Sequence, residues 1–151
     1  MVPTAEAALR EAGMRVTKQR VAVLDALAER PHATADSVAQ QVGARLGRIS
    51  KQAVYDVLGA CVDAGLVRQI EPAGLPALFE TRTGDNHHHL VCRACGRTTD
   101  VDCATGTQPC LTPSDAAGYA LDEAELVFWG LCPTCQRKQG SSFPSEIRSF
   151  V

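Results

Sequence analysis

A chain of 151 residues with a formal charge of −2, no run of about 18 apolar residues and no apolar stretch at its start excludes a membrane-spanning helix, predicting a soluble, cytoplasmic protein. Seven cysteines, an odd number, point in a reducing compartment to metal rather than to a disulfide framework. Residues 1–70 hold nine Lys and Arg against seven Asp and Glu, and residues 71–151 hold six against ten. This mild asymmetry allows the first half to contact nucleic acid but does not demand it.

Residues 4–12 read as a helix ended by Gly13. Thr17 caps a second helix to about Glu29, with Val21, Leu24 and Ala28 on one face and Pro31 as its stop. Thr34 caps a third, carrying Val38 and Val42 and closing at Gly47. Ser50 caps a fourth, in which Val54, Val57, Leu58, Cys61 and Val62 recur at helical spacing up to Gly65; Cys61 on that face is a core residue. The pattern then changes to a strand at 66–71, a turn at 72–76 and a strand at 77–80.

Helices followed by a β-hairpin are the order of a winged helix-turn-helix domain, in which the helix before the hairpin enters the major groove. The alternative is a helical bundle with an appended hairpin. Arg48, Ser50, Lys51, Gln52 and Tyr55 favour the first reading. They gather at the N-terminal end of the fourth helix, where side-chain donors and the helix dipole meet phosphates and base edges.

Residues 81–86 are polar and glycine-containing and suit a hinge. Beyond them, short apolar runs at 90–91, 98–101 and 126–131 predict strands of a small sheet. Residues 103–118, with Pro109, Pro113, Cys103 and Cys110, read as a loop or a frayed helix, and the chain from Gly140 reads as a disordered tail. The expected division is a DNA-binding domain at 1–82, a hinge at 83–86, a zinc-containing domain at 87–140 and a tail at 141–151.

Cys92-Arg93-Ala94-Cys95 and Cys132-Pro133-Thr134-Cys135 are two knuckles, each presenting a pair of sulfurs. Four thiolates suit tetrahedral Zn²⁺ in a structural role. The 36 residues between the pairs exceed ordinary ribbon spacing, so the intervening chain must carry structure of its own. A thioredoxin-like motif would need one such pair in a βαβ context, and a deaminase would need a His-x-Glu partner that is missing.

Glu80 ends the hairpin, and Asp85-Asn86-His87-His88-His89 leads into the first knuckle. In extended chain His87 and His89 project to one side. Two imidazoles with nearby carboxylates make a nitrogen and oxygen site suited to Fe²⁺, Mn²⁺ or Zn²⁺, distinct from the sulfur site. A polar surface loop is the alternative reading.

The chain resembles the ferric uptake regulator family of bacterial metal-dependent repressors along nearly its whole length. The resemblance rests on Leu9-Arg10 to Gln19-Arg20, Pro31-His32-Ala33-Thr34-Ala35-Asp36, Ser50-Lys51-Gln52-Ala53-Val54-Tyr55, Phe79-Glu80 and His87-His88-His89-Leu90-Val91-Cys92. Gly84-Asp85-Asn86-His87-His88-His89 and Asp100-Val101-Asp102-Cys103 are most similar to the actinobacterial, peroxide-sensing branch found beside catalase-peroxidase genes.

The resemblance implies an α+β fold: an N-terminal winged helix-turn-helix domain followed by a small α/β dimerisation domain with a four-cysteine zinc site. It implies a homodimer reading a palindromic operator in double-stranded DNA. A regulatory Fe(II) or Mn(II) would be held by His32, Glu80, His87, His89 and Asp100, with structural Zn(II) on Cys92, Cys95, Cys132 and Cys135. Alone, His32 reads as a solvent histidine ahead of a helix.

An aspartate at 100 is similar to the peroxide sensors, in which bound Fe²⁺ reacts with hydrogen peroxide and a ligand histidine, here His32 or His87, is oxidised. An iron-responsive or zinc-responsive repressor of metal uptake is the alternative. Asp56 departs from the arginine of many relatives, which shifts the expected phosphate contacts to Arg15, Lys18, Arg20 and Lys51, beside Ser50, Gln52 and Tyr55.

Cys103 and Cys110 are expected to be free thiols or a thiol switch, and His88 is a candidate for a second sensory site with Asp102, Glu123 or Glu125. A zinc-ribbon interaction module and a thiol redox enzyme are the contrasting classes; the expectation is a regulator and not an enzyme. The interaction module predicts that Lys51→Ala and Tyr55→Ala change nothing. The redox enzyme predicts dithiol turnover lost in a folded Cys92→Ser variant.

Overall fold

The computed structural model describes residues 2–103 and 109–140. It divides into two compact units, Met1–Asp85 and Asn86–Val151. None of the described helices is long and apolar enough to cross a membrane.

Four helices build the first unit: α1 (Ala5–Glu11), α2 (Lys18–Glu29), α3 (Ala35–Leu46) and α4 (Lys51–Asp63). Each starts behind a hydroxyl that accepts an otherwise orphaned backbone N–H. Thr4 takes that of Ala7, Thr17 that of Arg20, Thr34 that of Ser37 and Ser50 that of Ala53, at 3.1–3.2 Å. One such cap is worth about 1 kcal/mol. At the other end of α3, Gly47 takes φ 82°, where a side chain would be strained.

The apolar faces of these helices close on Leu9, Val23, Leu27, Val38, Val42, Val54, Leu58 and Cys61, all fully or almost fully buried, with Phe79 beside them. Cys61 is therefore core, as its helical phase predicts.

The predicted hairpin is present, trimmed to β2 (Arg68–Ile70) and β3 (Leu78–Glu80). A third strand has no counterpart in the sequence reading: β1 (Ala33–Thr34) pairs antiparallel with β3, giving the order β1-β3-β2. Two residues cannot show a period, and this strand exists because Ala33 opposes Phe79 and Thr34 opposes Leu78. One step further along the same register sets His32 against Glu80.

In the second unit, β4 (His87–Cys92) lies between β5 (Thr98–Asp102), antiparallel, and β6 (Val127–Gly130), parallel. β4 starts three residues earlier than its apolar run suggests, because the ladder extends to His87↔Asp102; the histidines are strand residues. A helix unforeseen in the sequence, α5 (Pro133–Gln139), follows with Cys132 as N-cap and Pro133 at its first position, where a missing N–H does no harm.

Residues 109–126 form neither helix nor strand, in line with the loop alternative for 103–118. Residues 104–108 of that segment and the tail at 141–151 lie outside the described residues. The α+β class, a winged helix-turn-helix unit followed by a small α/β unit with four cysteines, agrees with the expectation.

Candidate metal centres and nucleic-acid interface

Cys92 ends β4 and Cys95 lies in the turn to β5, while Cys132 is the N-cap of α5 and Cys135 lies in its first turn. Their four sulfurs all lie within 4.8 Å of one another, with Cys95 and Cys132 3.7 Å apart. The backbone N–H of Cys132 donates to Cys92 Sγ at 3.3 Å. That N–H and the N–H of Cys95 pull the Cys92 thiol down to about 6, so it is readily a thiolate. Cys135 is pushed up to about 12, first by the Cys132 side chain beside it and then by burial. Four sulfurs this close cannot all ionise without a cation between them, and four thiolates are the donor set of structural Zn²⁺.

The remaining predicted ligands fall in the two units, and each set has its own geometry. In the first unit, His32 Nε2 lies 2.9 Å from Glu80 Oε2, and the Glu80 side chain is fully buried. His32 is held at φ 60°, unusual for a non-glycine residue and worth on the order of 1–3 kcal/mol of strain. The β1–β3 pairing over-determines it, fixing the backbone on the following residue and delivering the imidazole to the carboxylate.

In the second unit, His89 opposes Asp100 across β4 and β5. Directly opposed residues of an antiparallel pair share a face, and His87 shares that face by alternation. Asp100 Oδ1 lies 3.3 Å from His89 Nε2 and 3.6 Å from His87 Nε2, and the two imidazoles meet edge to face at 5.0 Å. Both histidines are fully buried, while Asp100 is partly exposed. Imidazole nitrogens around a carboxylate oxygen are a borderline donor set, suited to Fe²⁺, Mn²⁺ or Zn²⁺. The polar surface-loop alternative for 87–89 does not hold, since all three histidines are buried strand residues.

His88 points to the opposite side of β4 and is brought together with Cys103 and Cys110. No local sequence signal groups these three, because the pattern of β4 fixes only that His88 faces away from its neighbours.

The nucleic-acid candidates sit around the start of α4. Ser50, Lys51, Gln52 and Tyr55 are exposed, Tyr55 by 51% despite its aromatic ring. Lys51 reaches Asp36 at 3.2 Å and Gln52 donates to Asp56 at 2.8 Å. Arg15 and Lys18 are exposed, and Arg20 donates to the Arg15 carbonyl at 2.8 Å. Arg15 and Arg20 line a shallow groove with Asp56, Val57 and Ala60 of α4, which joins the basic start of α2 to the outer side of α4.

A winged helix with basic and aromatic groups at the start of α4, joined in one chain to sulfur and imidazole–carboxylate donor sets, defines a metal-dependent DNA-binding transcriptional regulator. The model of the Ferric uptake regulator family matches residues 11–128, and the chain belongs to that family. It is 54% identical over 134 residues to the transcriptional regulator FurA of Mycobacterium tuberculosis (strain ATCC 25618 / H37Rv), covering 89% of this chain and 91% of that protein. It is 29% identical over 133 residues to the peroxide-responsive repressor PerR of Staphylococcus aureus (strain USA300), covering 87% and 89%. Among solved structures, the ferric uptake regulator from Pseudomonas aeruginosa with manganese aligns at TM-score 0.62 and 26% identity, over 87% of this chain and 99% of that one.

Proposed function

We propose that the protein represses transcription as a homodimer on palindromic DNA, holding Zn²⁺ on Cys92, Cys95, Cys132 and Cys135 and one regulatory Fe²⁺ or Mn²⁺ on His32, Glu80, His87, His89 and Asp100. The observation that carries this reading is the buried pair His87 and His89 around Asp100, a donor set chemically unlike the sulfur site a few residues further along the chain. His32 with Glu80, on the DNA-binding unit, completes the ligand set by resemblance.

A cation that draws ligands from both units favours the arrangement in which all its ligands reach it. By linkage, if that arrangement is the one that binds DNA, metal tightens DNA binding by the same factor as DNA tightens metal, about 5- to 150-fold for couplings of ~1–3 kcal/mol. Leu90 on β4 and Phe128 on β6 support the homodimer. They are paired in register, yet 44% and 50% exposed, an apolar pair on a sheet face that a second copy would cover.

We infer that the signal is hydrogen peroxide. Fe²⁺ held there would promote cleavage of the peroxide O–O bond. Overall, one peroxide oxygen is inserted at a ring C–H of His32 or His87, the other leaves as water, and the two electrons that reduce the peroxide come from the ring; the chain thereby loses a ligand and releases the DNA. The test is to load the protein with Fe²⁺ without oxygen, add stoichiometric peroxide, and examine peptides by mass spectrometry. The expected result is one added oxygen on peptides containing His32 or His87, together with loss of operator binding. Unmodified histidines with binding retained would favour an iron-responsive repressor. That second reading is supported by the higher identity to FurA than to the peroxide-responsive repressor.

A further inference from the structure

The two faces of β4 carry different chemistries. His87 and His89 look toward the Asp100 carboxylate, whereas His88, 3% exposed, looks toward sulfur. Its Nε2 lies 3.3 Å from Cys110 Sγ. Cys103 Sγ completes a triangle in which every pair of donor atoms lies within 4.8 Å. The four-cysteine cluster of the same unit meets the same limit. Around a tetrahedral Zn²⁺ an S···N edge spans about 3.5 Å and an S···S edge about 3.8 Å, from bond lengths of about 2.3 and 2.0 Å. The triangle therefore needs only small adjustments to hold an ion.

The architecture supports the convergence. Cys103 follows β5, and its N–H donates to the Asn86 carbonyl at 3.3 Å, one residue before β4, so it sits on the same side of the ladder as His88. Cys110 is held from the other direction, with its sulfur 3.9 Å from the Ala124 carbonyl. Burial and the neighbouring Cys103 push the Cys110 thiol up; two sulfurs this close resist ionising together until a cation joins them.

We propose that His88, Cys103 and Cys110 form a further metal site, selective for a thiophilic cation of the Zn²⁺ class and separate from both the four-cysteine site and the imidazole–carboxylate site. Two thiolates and one imidazole supply three ligands and leave a tetrahedral position open. Such a site exchanges its ion more readily than a closed four-cysteine site and suits sensing better than scaffolding. Filling it ties β4 to the chain at 103 and 110.

Proton bookkeeping gives the binding step a signature. The Leu126 N–H donates to His88 Nδ1 at 3.3 Å, so in the metal-free protein the ring proton sits on Nε2, facing Cys110. Binding through Nε2 moves that proton to Nδ1 and breaks the Leu126 hydrogen bond; thiol protons leave to solvent as the sulfurs bind, and no oxidant is involved.

The experiment uses full-length protein that retains one Zn²⁺, titrated with Co²⁺ without oxygen. Cobalt on imidazole and carboxylate gives no thiolate-to-metal absorption, so a near-ultraviolet charge-transfer band that saturates within the two equivalents the two open sites can take reports the sulfur-containing triangle. The band is expected in the wild type, absent in the Cys103→Ser/Cys110→Ser double variant and weakened in His88→Ala, with one Zn²⁺ and the helical circular dichroism retained in all three. No such band, a band that survives the double variant, or a Cys103–Cys110 disulfide in anaerobically purified protein would overturn the proposal. Mn²⁺-dependent DNA binding is measured in parallel, so failure here is distinguishable from failure of the repressor reading.

Discussion

The first unit buries Leu9, Val23, Leu27, Val38, Val42, Val54 and Leu58 in one apolar cluster. The second, among its described residues, buries Val91, Cys92 and Cys135 as hydrophobics, with His87, His88 and His89 beside them. One unit is thus assembled by removing hydrocarbon from water, and the other surrounds its strands with metal donors. Small units with thin cores need staples, and a staple made of a cation makes folding answer to metal chemistry. The helical unit is then held by its apolar core, and the unit that carries the four-cysteine cluster depends on its metal.

The sharpest way to break this contrast is to remove the zinc. Chelation, or Cys135→Ala, should withdraw on the order of 10 kcal/mol of metal-derived stabilisation from the second unit. The single tryptophan, Trp129, lies on β6 with the Arg93 guanidinium 5.1 Å from its ring, so its fluorescence reports that unit. Its emission should shift to that of an exposed indole while the far-ultraviolet signal of α1 to α4 persists. An unchanged emission would show that the second unit stands without its metal.

The converse perturbation is Leu27→Ala, which opens a cavity in the first core and should destabilise it by about 2–5 kcal/mol. Thermal melting followed by helical circular dichroism should fall, with zinc content unchanged. Asp100→Ala comes next: it should abolish the ~1–3 kcal/mol that Mn²⁺ adds to operator binding, read by fluorescence anisotropy, and leave the zinc in place. Smallest is Ser50→Ala, which removes the α4 cap and should lower the stability of the first unit by about 1 kcal/mol, measured by urea unfolding.

The helices are the most legible part of the sequence because their signals are local. Thr4, Thr17, Thr34 and Ser50 each announce a start, and Gly13, Pro31, Gly47 and Gly65 each announce an end. β1 is not legible, since two residues become a strand only by meeting β3 across more than forty residues of chain. The same pairing explains His32. From its neighbours it reads as a solvent histidine, and only the resemblance marks it as a ligand; the long-range pairing of Ala33 with Phe79 turns it onto Glu80.

The second unit is legible in chemistry more than in geometry. Cysteine spacing points to the four-sulfur cluster, but the spacing alone does not reveal the Cys132 knuckle as a helix start, although Pro133 signals one. Strand alternation separates His88 from His87 and His89. What waits on its far side, Cys103 and Cys110, depends on how a loop returns to the sheet, and no period encodes that.

The central claim is that one cation couples the two units, and a double-variant cycle on operator affinity tests it most directly. Mn²⁺ should tighten binding by the wild type, Glu80→Ala and His89→Ala should each eliminate that gain, and the combined variant should lose no more than either alone. Operator affinity indifferent to Mn²⁺ in the wild type, or losses from the two substitutions that simply add, would contradict it.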